Sequence, residues 1–156
     1  MIAILYNIRS LHNVGSIFRT ADAAGIEKLY LCGITPAPVD SFGKVHPQLA
    51  KVALGAERYV PWEKIGSVSK LIDKLKSDGC KIFAIEQSKK SIPYYKLSRF
   101  YILDSRLCLI VGNEVRGLPK TILAKADKIL EIPMRGRKES LNVAVAFGIA
   151  VFHLTY

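Results

Sequence analysis

The sequence predicts an α/β domain built on a mostly parallel sheet, and three observations carry that expectation. Short apolar runs rich in β-branched and aromatic residues recur along the chain. Stretches with helical spacing separate them, and glycines and prolines fall at the boundaries. Strands are expected at Ile2–Tyr6, Lys28–Cys32, Arg58–Val60, Lys81–Ile85, Leu107–Val111 and Lys128–Ile132. Helices are expected at Val14–Ala24, Gln48–Leu54, Val68–Ser77, Pro119–Lys125 and Glu139–His153.

In the first expected helix, Val14, Ile17, Phe18 and Ala21 fall at i, i+3, i+4 and i+7, a stripe that faces a core. Arg19 lies on another face, one turn above Gly15, and its side chain leans back over that glycine. A small residue there leaves room for a ligand, and the nearby helix N-terminus favours anions; a solvated arginine on an ordinary helix is the other reading. Two long loops, Gly33–Pro47 and Gln87–Arg99, interrupt the alternation. Tyr94 and Tyr95 in the second offer stacking surfaces to unpaired bases, or serve as packing. Gly25, Gly79 and Gly117 mark loops or helix ends, and Pro119 is placed to open a helix. The last expected helix is apolar nearly all round, so it is buried within the monomer or against a second subunit.

The chain has 156 residues, enough for one domain with a self-sufficient core. Its 23 Lys and Arg outnumber 13 Asp and Glu, a net charge of +10 that points to a polyanionic partner, foremost nucleic acid. The basic residues are spread through loops, among them Arg9, Arg19, Lys44, Arg116, Arg135, Arg137 and Lys138, which suits a folded surface that tracks phosphates. Cys32, Cys80 and Cys108 are widely spaced in apolar runs, so buried free thiols are expected, with neither a zinc site nor a disulfide framework. The N-terminus lacks the pattern of a signal peptide, and the apolar run Leu141–Leu154 is shorter than a membrane helix needs. A cytoplasmic protein follows as the expectation.

Two further segments carry chemistry. In LIVGNEVRGL (Leu109–Leu118) a buried strand breaks into a loop whose Gly112 and Gly117 let backbone approach a ligand, beside Asn113, Glu114 and Arg116. The patterns of Walker A and dinucleotide-binding loops are absent. In IPMRGRKESLNVAVAF (Ile132–Phe147) a strand end gives way to a basic turn, and Ser140 and Asn142 flank Leu141 ahead of the apolar helix. Capping accounts for one of those two polar residues, and orienting a ligand is a role for the other.

Together these segments resemble the three motifs of the SpoU (TrmH) family of RNA ribose 2′-O-methyltransferases, within the SPOUT superfamily. Asn13, Gly15 and Arg19 fit the first motif, N-x-G-x-x-x-R. Gly112, Asn113, Glu114, Gly117 and Leu118 fit the second, and Ile132, Pro133, Met134, Ser140, Leu141, Asn142 and Val143 the third. The resemblance implies a single SpoU-type domain over residues 1–156, with no added RNA-binding domain, a C-terminal trefoil knot and a homodimer with its active site at the interface. It implies S-adenosyl-L-methionine as cofactor, held by Val111, Gly112, Asn113, Gly117, Leu118, Ile132, Met134, Ser140 and Leu141.

Methyl transfer to a ribose 2′-hydroxyl of structured RNA is the implied reaction, with tRNA favoured over rRNA. A non-catalytic RNA-binding or ribosome-assembly protein is the alternative. The implied catalytic set is Arg19, Asn13, Ser140, Asn142 and Glu114. The resemblance implies that Arg19 acts beside the partner subunit's cofactor. A guanidinium with a pKa above about 12 is a poor base, so fixing a phosphate and stabilising the developing alkoxide suit it better. Asn13 holds the first loop, Ser140 and Asn142 orient ribose or cofactor, and Glu114 pairs with a cofactor group or with Arg116.

Overall fold

The computed structural model describes residues 1–98 and 106–156. Seven strands form one sheet in which every pairing between named strands is parallel: β1 Ile2–Tyr6, β2 Lys28–Cys32, β3 Trp62–Ile65, β4 Lys81–Ile85, β5 Ile92–Pro93, β6 Leu107–Val111 and β7 Lys128–Glu131. Their spatial order is β3-β2-β1-β6-β4-β7-β5. The helices are α1 Leu11–Ala23, α2 Pro47–Ala53, α3 Ala56–Tyr59, α4 Val68–Ser77, α5 Lys120–Leu123 and α6 Val143–Thr155.

Alternation along the strands sorts the core into two layers. Ala3 and Leu5 of β1, with Leu29, Leu31, Leu109 and Val111, face α1, α2, α3 and α6. Ile2 and Ile4, with Ile82, Cys108 and Ile110, face α4 and α5. Central strands buried on both faces read as continuous apolar runs, which is why β1 and β6 were legible from sequence. No described helix is long and apolar enough to cross a membrane. All three cysteines are free and buried, and loss of hydration pushes the Cys32 thiol up to about 12.

Several expectations need correcting. Arg58–Val60 is not a strand: Ala56–Tyr59 is a short helix that opens after Gly55 and ends where Val60 turns extended ahead of Pro61. The strand on this edge is Trp62–Ile65, whose exposed Glu63 and Lys64 hid its pattern. The last helix starts at Val143 rather than Glu139, because the Asn142 side chain accepts from Ala144 N–H (2.8 Å) and caps it there. Likewise α5 spans only Lys120–Leu123 of the expected Pro119–Lys125. The loop Gln87–Arg99 contains β5, and its Arg99 lies outside the described residues. Tyr94 there packs edge-on to His153 of α6, with ring centroids 5.0 Å apart, so packing is its role.

Gly15 does not leave room for a ligand. It is buried where α2 crosses α1, and a Cβ there would stand 2.6 Å from the Leu49 carbonyl oxygen and 3.2 Å from Val52 Cβ. The small residue serves helix approach. Gly15→Ala is therefore expected to destabilise the fold by about 1–3 kcal/mol through overpacking, despite alanine's better helix propensity. A urea unfolding midpoint equal to that of the parent protein would contradict this.

Candidate active site

Parallel pairing brings the C-terminal ends of β1, β6, β4 and β7 to one edge of the sheet, where α/β domains bind ligands. All three chemistry-bearing segments leave the sheet on this edge. The first follows β1, the second β6 and the third β7.

Hydrogen bonds join the three. Glu114 is the hub: its carboxylate accepts from Arg9 N–H (3.0 Å), Ser10 N–H (3.1 Å) and Asn13 Nδ2 (3.1 Å). Asn13 Oδ1 in turn accepts from Asn142 Nδ2 at 3.0 Å, so the first loop bridges the second and third segments. Asn113 Nδ2 donates to Asn7 O (2.7 Å), and Asn7 Oδ1 accepts from Ile34 N–H (3.0 Å). Partial burial raises the Glu114 pKa, yet the hydrogen bonds from Arg9, its own amide, Asn13 and Ser10 outweigh it and hold the carboxyl below its ordinary value. Glu114 thus pairs with the first loop rather than with Arg116, and it also lines the cavity described below.

The loop after β6 is built by its own backbone. Gly117 N–H donates to Asn113 O (2.9 Å), and Asn113 Oδ1 accepts from Val115 N–H (3.0 Å) and Arg116 N–H (2.9 Å). Gly117 sits at φ +62°, and a Cβ on it would lie 2.2 Å from a Glu86 carboxylate oxygen, so only glycine fits. Glu86, just past β4, accepts from Leu118 N–H (2.7 Å) and Gln87 N–H (3.0 Å), and fixes the end of this loop. Sequence reading missed Glu86. A lone acid after a strand gives no motif, and only the crossing of β4 beside β6 reveals its reach.

Between these loops lies a cavity of about 320 Å³. Of the residues expected to bind a cofactor, Val111, Gly112, Asn113, Gly117, Ile132, Met134, Ser140 and Leu141 line it. Leu118 does not: its side chain is buried beneath the sheet with Ile122, and only its amide serves the loop. Glu86, Glu114, Glu131 and Glu139 also line the cavity, while among the described residues no lysine or arginine does. In a chain of charge +10 this is a locally acidic recess.

Arg19 is not brought into that cavity. It is exposed on α1 and lines a second recess with His12, Gln48, Lys51 and Val52. Asn13 and Asn142 are in the hydrogen-bond hub rather than on the cavity wall. The side chains of Arg9, Lys44, Arg116, Arg135, Arg137 and Lys138 are exposed on the surface.

The family model of the SpoU rRNA methylases matches residues 1–152. The chain belongs to the SpoU family. A 23S rRNA (guanosine-2′-O-)-methyltransferase, RlmB, of Coxiella burnetii is 30% identical over 154 residues, covering 99% of this chain and 57% of that protein. The chain thus spans a little over half the length of the curated relatives it matches. Among solved structures, an AdoMet-bound rRNA methyltransferase from Sinorhizobium meliloti superposes with a TM-score of 0.85 at 29% identity, covering 98% of this chain and 54% of that one. A structure described by 2-OH methylation of C/U34 on tRNA gives a TM-score of 0.79 at 29% identity, covering 97% and 91%.

Proposed function

We propose that this SpoU-family chain is an S-adenosyl-L-methionine-dependent methyltransferase acting on a ribose 2′-hydroxyl of structured RNA, with tRNA favoured over rRNA. The observation that carries this reading is the bonded junction of the three segments through Glu114, Asn13 and Asn142 around an acidic cavity. A cavity of about 320 Å³ lies within the range of small-ligand sites. Its lining fits the cofactor: carboxylates suit an ammonium or sulfonium cation and ribose hydroxyls, and Val111, Ile132 and Leu141 supply apolar walls. When bound, the cofactor supplies an electrophilic methyl group. The C/U34 relative, 91% of which this chain covers, supports the preference for tRNA.

The chain's own residues do the rest. Ser140, on the cavity wall, offers a hydroxyl to orient ribose or cofactor, while Asn142 and Asn13 fix the loop geometry. Arg19, with its fork of donors, holds a substrate phosphate and stabilises the developing alkoxide as the 2′ proton passes to solvent water. The exposed cations Arg9, Lys44, Arg116, Arg135, Arg137 and Lys138 track the RNA backbone.

Because Arg19 stands outside the cavity of its own chain, the reading includes a homodimer in which each Arg19 serves the partner's cavity. The outward side of α6 supports this, with Val145 51%, Phe152 42% and Tyr156 75% exposed on one face. A trefoil knot formed by the chain after β6 belongs to the same reading. A cytoplasmic location is proposed with it.

Titration calorimetry with S-adenosyl-L-methionine is the first test, followed by transfer of labelled methyl to total RNA and mapping of the modified nucleotide. Saturable binding and a 2′-O-methylated product are expected. Absence of cofactor binding overturns the reading, and binding without transfer to any RNA shifts it to a non-catalytic RNA-binding protein.

A further inference from the structure

The most exposed aromatic among the described residues, Phe42, stands 93% exposed at the tip of a short hairpin in the first long loop. Nothing in the cofactor cavity or the three segments uses it. An aromatic ring in water costs hydration free energy, and a floppy loop would let it fold back onto apolar surface. This loop does not permit that. Val39 and Val45 pair as an antiparallel bridge, and Asp40 N–H donates to Lys44 O at 2.9 Å. The Asp40 carboxylate accepts from Phe42 N–H (2.8 Å) and Lys44 N–H (2.9 Å), and Gly43 takes φ +78° to close the turn. Among the described residues the Phe42 ring has no aromatic or cationic partner.

The base of the hairpin is anchored as firmly. Lys64 Nζ donates to Gly33 O (2.7 Å) and to Thr35 O. Buried Thr35 accepts from Ile8 N–H (3.0 Å) and donates to Leu5 O (2.8 Å), tying the loop to the end of β1. His46 N–H bonds to Pro38 O at 3.0 Å, and the next residues enter α2, whose Gln48 and Lys51 line the Arg19 recess. At ~3.3 Å per extended residue, the tip projects at most about 13 Å beyond His46. The surroundings are cationic, with exposed Lys44 and Lys51 nearby, and the one acidic side chain from Gly33 to Leu54, Asp40, is occupied by backbone amides.

We infer that Phe42 is a stacking platform for an unpaired base of the RNA substrate, next to the nucleotide that Arg19 positions. A rigid aromatic face beside phosphate-binding cations is the chemistry that holds single-stranded nucleic acid with little sequence preference. This requires the target ribose to lie in a loop or other unpaired segment, and it deepens the proposed function on which it rests. Phe42 is a substrate-positioning residue, so it acts on RNA affinity and leaves cofactor binding alone.

The test compares Phe42→Ala, Phe42→Leu and Phe42→Trp in the full chain. Fluorescence anisotropy is read with an unstructured oligouridylate and with a fully paired RNA duplex of equal length, and quenching of a 2-aminopurine-labelled strand reports stacking. Phe42→Ala and Phe42→Leu are expected to weaken single-strand binding about tenfold and abolish the quenching, while duplex binding and cofactor affinity stay unchanged. Phe42→Trp keeps both signals. Wild-type affinity in Phe42→Leu, or equal loss on strand and duplex, overturns the inference. So does a monomeric Phe42→Ala in sedimentation, which would make the ring a contact between copies of the chain. If the wild type quenches through Phe42 yet transfers no methyl group, the proposed function fails and this inference stands.

Discussion

Arg19→Ala is expected to lower methyl transfer by about 10²–10³-fold while leaving S-adenosyl-L-methionine affinity unchanged. The separation follows from geometry. Arg19 lines a recess with His12, Gln48 and Lys51, whereas the cavity proposed for the cofactor is lined by residues from the loops after β6, β4 and β7. Removing an exposed side chain from α1 also leaves the buried stripe of Val14, Ile17, Phe18 and Ala21 untouched, so the fold survives. Arg19→Lys keeps a charge but loses the planar fork, and recovers only a small part of the rate. A cross-subunit site makes one more demand. Mixing Arg19→Ala with a variant impaired only in its cofactor cavity should partly restore activity, because each mixed dimer then holds one intact pairing. Full activity in Arg19→Ala, or failure to bind cofactor, contradicts the assignment.

Sequence made the sheet legible where burial was two-sided. β1 and β6 are continuous apolar runs, and α4 shows a clean amphipathic stripe through Val68, Leu71, Ile72 and Leu75. It failed at the edge, where adjacent exposed Glu63 and Lys64 break the alternation of β3 and a short helix precedes it. At the site, residue types in the three segments pointed to a ligand loop, but not to its internal wiring. Gly15 looked like space for an anion, and only the crossing of α2 shows a backbone oxygen there. Glu86 carries no local signal at all, since its partner Leu118 lies 32 residues away. Strand order brings such pairs together, and order in a parallel sheet with long connections is what periodicity cannot encode.

Glu114→Ala should weaken cofactor affinity about tenfold or more and also lower stability, since one carboxylate secures two backbone amides and the Asn13 side chain. Losing it frees the first loop from the second and slackens the Asn13–Asn142 bond that reaches the third. Glu114→Gln keeps an acceptor but exchanges one anionic oxygen for a donor facing amides, and falls between. The sign of the pH effect follows from the depressed carboxyl. A group whose folded pKa lies below its unfolded value contributes stability that is fully present above the unfolded value, near 4.5, and fades as pH falls through the folded one. The difference in thermal midpoint between the parent protein and Glu114→Gln should therefore be constant from neutral pH down to about 4.5 and shrink below it. A difference that instead shrinks between pH 8 and 6 would place the linkage on another group and remove Glu114 from the hub of the site.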